Sequence, residues 1–151
     1  MRLTDKNAQT MLRIFTAVEE RDEDTMSELC HPDVQFFWPP CLSFGGEARG
    51  LTREGPSWEG TWTPLQPTDT ERRMDPRIVA ASDIEVVVQW TQKGLSASGE
   101  RLEQPVLGLY SLRDGKLARA QMFYFDAAAV AEFLARTTNP SAPRAKGVPP
   151  P

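Results

Sequence analysis

Four strand-like segments follow one another in the second half of the chain, and they constrain the fold more than any other feature. They cover residues 77–80, 84–93, 105–112 and 117–125, and each is rich in β-branched or aromatic side chains. Ser98-Gly99 and Asp114-Gly115 supply turns between them, and Asp-Gly is a strong hairpin signal. Segments joined by such short turns pair in opposite directions, so this half of the chain predicts an antiparallel sheet.

Helical patterns flank these strands on both sides. Residues 4–20 place apolar side chains at helical spacing, and a shorter helix is predicted at about residues 23–30. An Ala-rich helix follows the last strand and ends at Arg136. Helices before and after an antiparallel run predict an α+β fold, in which the helices pack on one face of a curved sheet. A curved sheet closed by helices leaves room for a small-molecule pocket.

The segment between the two halves contains one further strand and a long irregular stretch. The strand covers residues 34–38 and ends at Pro39-Pro40. Residues 39–67 then contain five glycines and five prolines together with aromatic residues that include Trp58. This composition fits either a lid over the pocket or an ordinary packed loop. We predict one domain over residues 1–136, followed by a Pro-rich tail over residues 137–151.

Charge and composition exclude several classes of protein. The net charge is −4 and the basic residues are scattered, which argues against nucleic acid and anionic membranes as partners. No apolar run reaches the length of a membrane span, and the first ten residues are polar, so a cytoplasmic location is expected. Cys30 and Cys41 are expected to be free thiols, and the single His31 leaves too few ligands for a zinc site.

Five short runs, in this order, are similar to the nuclear transport factor 2-like superfamily, in its SnoaL-like branch. They are Ile14 to Val18, His31 to Val34, Gly45-Gly46, Arg113 to Leu117, and Tyr124 to Asp126, and the similarity covers about residues 8–136. The resemblance implies a cone: a curved, mostly antiparallel sheet with helices packed on its concave side around a pocket. It also implies a small hydrophobic ligand, with no metal or organic cofactor.

The catalytic groups of the best-known relatives do not carry over to this sequence. At the positions that ketosteroid isomerase uses, the chain has Ile14, Trp38 and Leu107. At those of limonene epoxide hydrolase it has Gln89, Thr91, Met122 or Phe123, Phe36 and Trp38. None of these side chains gains or loses a proton near neutral pH. The chain thus resembles the family with its best-known active sites replaced.

The same correspondence predicts which side chains face the pocket. Because the catalytic groups of the relatives point into the cone, the matching residues are expected to bind ligand, together with Trp58 of the lid. They are Ile14, Phe36, Trp38, Gln89, Thr91, Leu107 and Phe123, the last with Met122 as its alternative. Strand alternation then sends Val86, Val88, Trp90 and Tyr110 to the opposite face, where they would form a homodimer interface.

Three residues are candidates for catalytic roles. Asp126 follows the last strand and either acts as an acid or base or caps the helix that starts after it. Tyr124 is a candidate hydrogen-bond donor, and His31 is the only imidazole, at a position that is usually at the surface. The first functional hypothesis is a cofactor-independent cyclase or isomerase acting on a hydrophobic, polyketide-like carbonyl compound. In that hypothesis Asp126 moves a proton, and Gln89 or Tyr124 steadies the enolate. The alternative is a binding protein that holds a hydrophobic metabolite without transforming it.

Overall fold

The computed structural model describes residues 1–51 and 64–137, which form helices packed against one curved sheet. The helices are α1 (Leu3–Glu20), α2 (Glu23–Leu29), α3 (Asp69–Arg72) and α4 (Ala127–Thr137). The strands are β1 (Cys30–Trp38), β2 (Gly46–Arg49), β3 (Arg77–Ala81), β4 (Glu85–Leu95), β5 (Arg101–Arg113) and β6 (Lys116–Tyr124). Within the described ranges, no helix combines the length and the apolar character that a membrane crossing requires.

The six strands form one open sheet in the order β2-β1-β6-β5-β4-β3. All neighbouring strands are antiparallel except β1 and β6, which run parallel. The β4–β5 ladder is the longest, and it extends from Glu85 opposite Ser111 to Leu95 opposite Arg101. The predicted α+β fold with a curved, mostly antiparallel sheet is therefore confirmed.

The first two helices follow local sequence signals. The buried face of α1 includes Met11, Ile14 and Phe15, which recur at helical spacing. The helix ends at Arg21, which adopts a left-handed backbone conformation with φ of 58°. Asp22 then caps α2 by accepting a 3.0 Å hydrogen bond from the Thr25 backbone N–H.

The boundaries of the first strand differ from the prediction. β1 begins at Cys30 rather than at residue 34, because Cys30 pairs with Leu117 of β6 and so continues the sheet past Pro32. The short elements β2 and α3 were not predicted, since each has only four residues and lies in or beside the Gly/Pro-rich stretch. Trp58, with residues 52–63 of the predicted lid, and the tail from residue 138 onward lie outside the described residues.

The predicted orientation of β4 is wrong. Val86, Val88 and Trp90 point into the core beneath the helices, whereas Gln89 and Thr91 lie on the other face of the sheet. Side chains alternate along a strand, so an error of one residue inverts every position at once. The apolar set of this strand decides its orientation, because burying these side chains is the larger energetic gain.

The same inversion applies to β5 and β6. Leu107 and Phe123 face outward and are 45% and 52% exposed, while Tyr110 and Met122 are buried on the concave side. The predicted dimer surface is consequently wrong in its residues. All of its four members are covered by the chain itself.

Candidate functional site

A cavity of about 70 Å³ lies between α1 and the concave face of the sheet. One part of its wall consists of aliphatic side chains from α1 and β6. These are Ile14, Val18, Leu117 and Ala120. The cavity is therefore built where the fold brings the apolar stripe of the first helix against the last strand of the sheet.

Four of the five methionines of the protein line this cavity. They are Met11, Met26, Met74 and Met122, and they come from α1, α2, the segment before β3, and β6. Methionine is unbranched, with three rotatable bonds and a polarisable sulfur, so it adapts its shape to its neighbours. A wall of this kind can change its contour around a ligand without moving the backbone.

Aromatic rings form the rest of the wall. Phe15 of α1 lies 6.1 Å from the ring of Trp90 and 5.8 Å from the ring of Tyr110, measured between centroids. The Phe15–Tyr110 contact is edge-to-face, an arrangement that aromatic pairs favour. Phe36 and Trp38 of β1 complete the wall on the same face of the sheet, at the side of the cavity away from β4 and β5. A flat ligand in this cavity would contact aromatic rings from α1, β1, β4 and β5.

Three polar groups belong to side chains of the described wall: the indole N–H groups of Trp38 and Trp90 and the hydroxyl of Tyr110. Burial raises the pKa of Tyr110 far above its usual value, and the nearby Trp90 N–H only partly opposes this increase. Tyr110 therefore keeps its proton at neutral pH. All three groups are hydrogen-bond donors, and none can act as a base there.

Tyr124 lies beside this wall, behind Trp90. Its ring packs edge-to-face on Trp90 at 6.1 Å, and its hydroxyl donates a 3.0 Å hydrogen bond to Oε1 of Gln92. Burial, together with the neighbouring Tyr110, raises the pKa of Tyr124 strongly. Tyr124 thus joins the cavity to the second apolar cluster, which lies beneath α4. Its predicted catalytic role stays a prediction.

Asp126 is the N-cap of α4. Its Oδ1 accepts a 3.0 Å hydrogen bond from the Ala129 backbone N–H, and the side chain is exposed. The backbone of Asp126 is also held at both polar atoms, since its N–H donates to Oε1 of Gln104 and its carbonyl accepts from Nε2 of Gln104. Capping, the second of the two interpretations, explains the position of the Asp126 side chain. The carboxylate lies outside the described cavity wall.

His31 lies at the start of β1, at the end of the sheet where the β5–β6 turn is located. Its Nε2 is 2.6 Å from the carbonyl oxygen of Arg113, so this nitrogen carries the proton and donates it to the carbonyl. The Arg113 side chain reaches Asp33 at 3.5 Å. His31 therefore ties two strands together and does not line the described cavity.

The predicted ligand-binding residues separate into three groups. Ile14, Phe36 and Trp38 line the cavity, and their contact with a ligand remains a prediction. Trp58 lies outside the described residues. The remaining four do not face the cavity, contrary to expectation, and they are Gln89, Thr91, Leu107 and Phe123.

Trp90 and Tyr110, the two most informative wall residues, were not predicted from the sequence to line the cavity. The signal that identifies them is the apolar alternation of their own strands: Val86, Val88 and Trp90 in β4, and Val106 and Tyr110 in β5. The comparison with distant relatives overrode that signal. Met122, which was the alternative to Phe123, is the residue of that pair in the wall.

An open, curved sheet that wraps around a long N-terminal helix and encloses an apolar cavity defines the nuclear transport factor 2-like class of folds. The chain matches the model of the SnoaL-like domain over residues 11–120, and it belongs to this family. No curated protein sequence matches the chain significantly.

Solved structures with the same fold share little sequence with this chain. TerC, co-crystallized with polyporic acid, is 23% identical, has a TM-score of 0.69, and matches 83% of this chain and 95% of its own. Bal32a, from a soil-derived mobile gene cassette, is 18% identical, with a TM-score of 0.69 and coverage of 87% and 98%. A SnoaL-like polyketide cyclase candidate from Jannaschia sp. CCS1 is 17% identical, with a TM-score of 0.66 and coverage of 95% and 97%. At such identities the similarity establishes the fold alone.

Proposed function

We propose that this chain binds a small, largely apolar carbonyl compound in the cavity beneath α1. The observation that carries the proposal is the composition of the described wall. Its side chains offer mostly carbon and sulfur surface, and their polar groups are the N–H groups of Trp38 and Trp90 and the Tyr110 hydroxyl. Such a wall favours ligands that are apolar over most of their surface and carry one or two hydrogen-bond acceptors.

The size of the cavity limits what it holds without rearrangement. Its volume is about 70 Å³, whereas a cavity of about 150 Å³ accommodates a benzene molecule in an engineered protein. A ligand with one or two rings therefore requires the wall to move. The four cavity methionines permit this, because their side chains change rotamer more readily than branched ones do.

The wall favours binding over acid–base catalysis. Among the described residues that line the cavity, only Tyr110 is ionisable, and it stays protonated at neutral pH. Such a group stabilises a carbonyl oxygen by donating a hydrogen bond, but it does not remove a proton from carbon. A binding protein for a hydrophobic metabolite is thus the function that the cavity supports best.

A cofactor-independent cyclase or isomerase is the second candidate. Membership of the SnoaL-like family favours it, as does the polyketide cyclase candidate among the structural neighbours. A reaction in this cavity would depend on holding a flexible substrate in its reactive conformation and on hydrogen bonds to its carbonyl oxygen. Asp126, Tyr124 and His31 remain proposals for catalytic roles, and each would have to act from outside the described wall.

A pair of alanine substitutions tests the site. Ala120→Leu places a larger side chain in the cavity, whereas Ala80→Leu places the same side chain on the exposed face of the sheet, opposite Val87. Binding of a panel of aromatic ketones is followed by quenching of tryptophan fluorescence, since Trp38 and Trp90 line the cavity. We expect Ala120→Leu to lose binding and Ala80→Leu to retain it. Equal binding by both variants would place the ligand elsewhere.

A second measurement separates the two candidate functions. A protein that moves protons next to a carbonyl exchanges the α-hydrogens of a bound ketone with solvent deuterium. We expect the wild-type protein to bind ketones without accelerating this exchange. Exchange that depends on Asp126, Tyr124 or His31 would favour the enzyme.

The homodimer also remains a proposal, now through different residues. Leu107 and Phe123 face each other across the β5–β6 ladder on the outer side of the sheet. Two-fold packing of this face would bury both side chains. The cytoplasmic location likewise stays a prediction.

A further inference from the structure

The indole N–H of Trp90 is a buried donor without an acceptor. Trp90 is only 5% exposed, and no described group accepts a hydrogen bond from its Nε1. Folded proteins rarely leave such groups unpaired, because an unsatisfied buried donor loses its hydration without compensation. Trp90 also lines the cavity, so a ligand there would lie against its indole.

The Tyr110 hydroxyl lies near this N–H, in a position that depends on a glycine. A Cβ at residue 108 would lie only 2.1 Å from the Tyr110 hydroxyl oxygen, so the phenol lies directly over Gly108. Glycine within a strand costs stability and often marks a place of close approach. Here it leaves space for the Tyr110 ring to lie along the sheet, towards the cross-strand pair of Val106 and Trp90. The N–H is close enough to the phenol to oppose the increase in the pKa of Tyr110, so the two groups are neighbours in the wall.

We propose that the Trp90 N–H and the Tyr110 hydroxyl together form the anchor for one carbonyl oxygen of the ligand, an inference that rests on the proposed function. The acceptor has to come from the ligand, because the other wall side chains are hydrocarbons, thioethers and the indole of Trp38, which is itself a donor, and a thioether accepts only weakly. Phe15 of α1 packs against both rings.

This anchor defines the ligand more narrowly than the cavity alone. An anchor of two neighbouring donors suits an aryl ketone, a quinone or an enolate oxygen, with the ring system towards the methionines. The fused or conjugated body would contact apolar surface, and its oxygen would lie at the β4–β5 side of the cavity. A hydrocarbon of the same shape would fill the same space and leave both donors unpaired.

The test compares 1-indanone with indane, which differ by the carbonyl group, on the full-length protein. Tyr110→Phe removes one hydroxyl and keeps the ring. Thr91→Val is the matched control, because it removes a hydroxyl from the outer face of the strand that carries Trp90. We expect the ratio of indanone to indane affinity to fall roughly five-fold in Tyr110→Phe, the value of one net hydrogen bond, and to stay unchanged in Thr91→Val.

Nuclear magnetic resonance of the tryptophan indole groups provides a second readout that does not depend on a variant of Tyr110. The Trp90 Nε1–H resonance, assigned by its loss in Trp90→Phe, is expected to shift downfield with indanone and to move much less with indane. If indane binds but the affinity ratio and this resonance are the same for both ligands, the anchor is wrong while the apolar cavity stands. If neither compound binds, the proposed function fails together with the anchor.

Discussion

The indole of Trp38 stacks on the ring of Phe36, with centroids 5.4 Å apart and ring planes inclined by only 13°. A third ring, that of Phe44, contacts Trp38 edge-to-face at 6.1 Å. Because Trp38 is only partly buried and borders the cavity, it combines packing with an open surface.

Trp38→Ala is expected to weaken ligand binding more than it weakens the fold. A fully packed tryptophan costs about 3–5 kcal/mol on truncation, so a partly buried one should cost about 2 kcal/mol. Phe37→Ala is the control, because Phe37 points to the other face of β1, where Arg119 lies over its ring at 4.5 Å. Denaturant unfolding and ketone titrations on both variants measure the two effects. Unchanged affinity in Trp38→Ala would remove Trp38 from the site.

Gly108→Ala is expected to expel the Tyr110 ring from its position. The added methyl group would overlap the phenol, and such overpacking typically costs about 1–3 kcal/mol. Tyr110→Phe does not relieve the overlap, since ring carbons also lie within 2.3 Å of the added atom. Tyr110→Ala does relieve it, so the double variant should be more stable than the sum of the single costs predicts. Strict additivity in thermal unfolding would contradict this contact.

Substitutions at Asp126 should follow capping energetics. Asn caps helices about as well as Asp, so Asp126→Asn should cost little, whereas Asp126→Ala should cost about 1 kcal/mol. Unfolding free energies of the two variants provide the measurement. If Asp126→Asn instead abolished a reaction on an identified substrate while keeping its stability, Asp126 would return as a catalytic residue.

Stability should fall at alkaline pH because of the two tyrosines. Burial raises the pKa of Tyr110 and of Tyr124 above the value of about 10 that the unfolded chain retains. Above that pH the unfolded chain releases protons that the folded chain keeps, so the unfolded state is stabilised relative to the folded state as pH rises. In that range each buried tyrosine lowers the free energy of unfolding by up to about 1.4 kcal/mol per pH unit.

Cys30 should begin this loss at lower pH, since burial raises the pKa of its thiol from 9.0 to about 11. Urea unfolding between pH 8 and 11 measures how steeply the free energy of unfolding falls with pH. Above pH 10, Tyr110→Phe should reduce this slope by the contribution of one proton. Tyrosinate absorbance should remain absent until the protein unfolds. Early ionisation of both phenols in the folded protein would show that they are not buried.

Phe123→Glu should convert a dimer into a monomer if the outer sheet face is the interface. The substitution places a charge beside Leu107 at the centre of that face, and burying it across a two-fold contact would be costly. Leu12→Glu serves as the control, since Leu12 is exposed on α1, away from this surface. Sedimentation equilibrium at micromolar concentration measures the mass. A wild-type monomer would exclude the interface.

The fold could be predicted from sequence because its signals are local and repeated. The apolar stripe of α1, the Asp114-Gly115 turn and the alternating strands each define an element, and their order limits how the elements pack. The apolar and aromatic character of the cavity could also be predicted from the sequence. The order of the strands in the sheet depends on the parallel pairing of β1 with β6, which no local pattern encodes.

The wall residues of β4 and β5 could not be predicted by matching positions in distant relatives. A shift of one residue in that comparison inverted the two faces of the strands, so that Gln89, Thr91 and Leu107 were predicted in place of Trp90 and Tyr110. The alternation within each strand was the more reliable guide, because it reflects burial in this chain. The roles of Gly108 and of the unpaired Trp90 N–H needed atomic positions.

The parallel pairing of β1 with β6 has a consequence for how this protein folds. Phe36 pairs with Ala120, so the ladder joins segments that are far apart in the chain, whereas the β4–β5–β6 meander is held by nearby contacts. Distant pairings pay more loop-closure entropy and tend to form late. Since β1 supplies one side of the cavity, we expect the cavity to be absent from the folding transition state. A bound ligand would then slow unfolding and leave the folding rate almost unchanged.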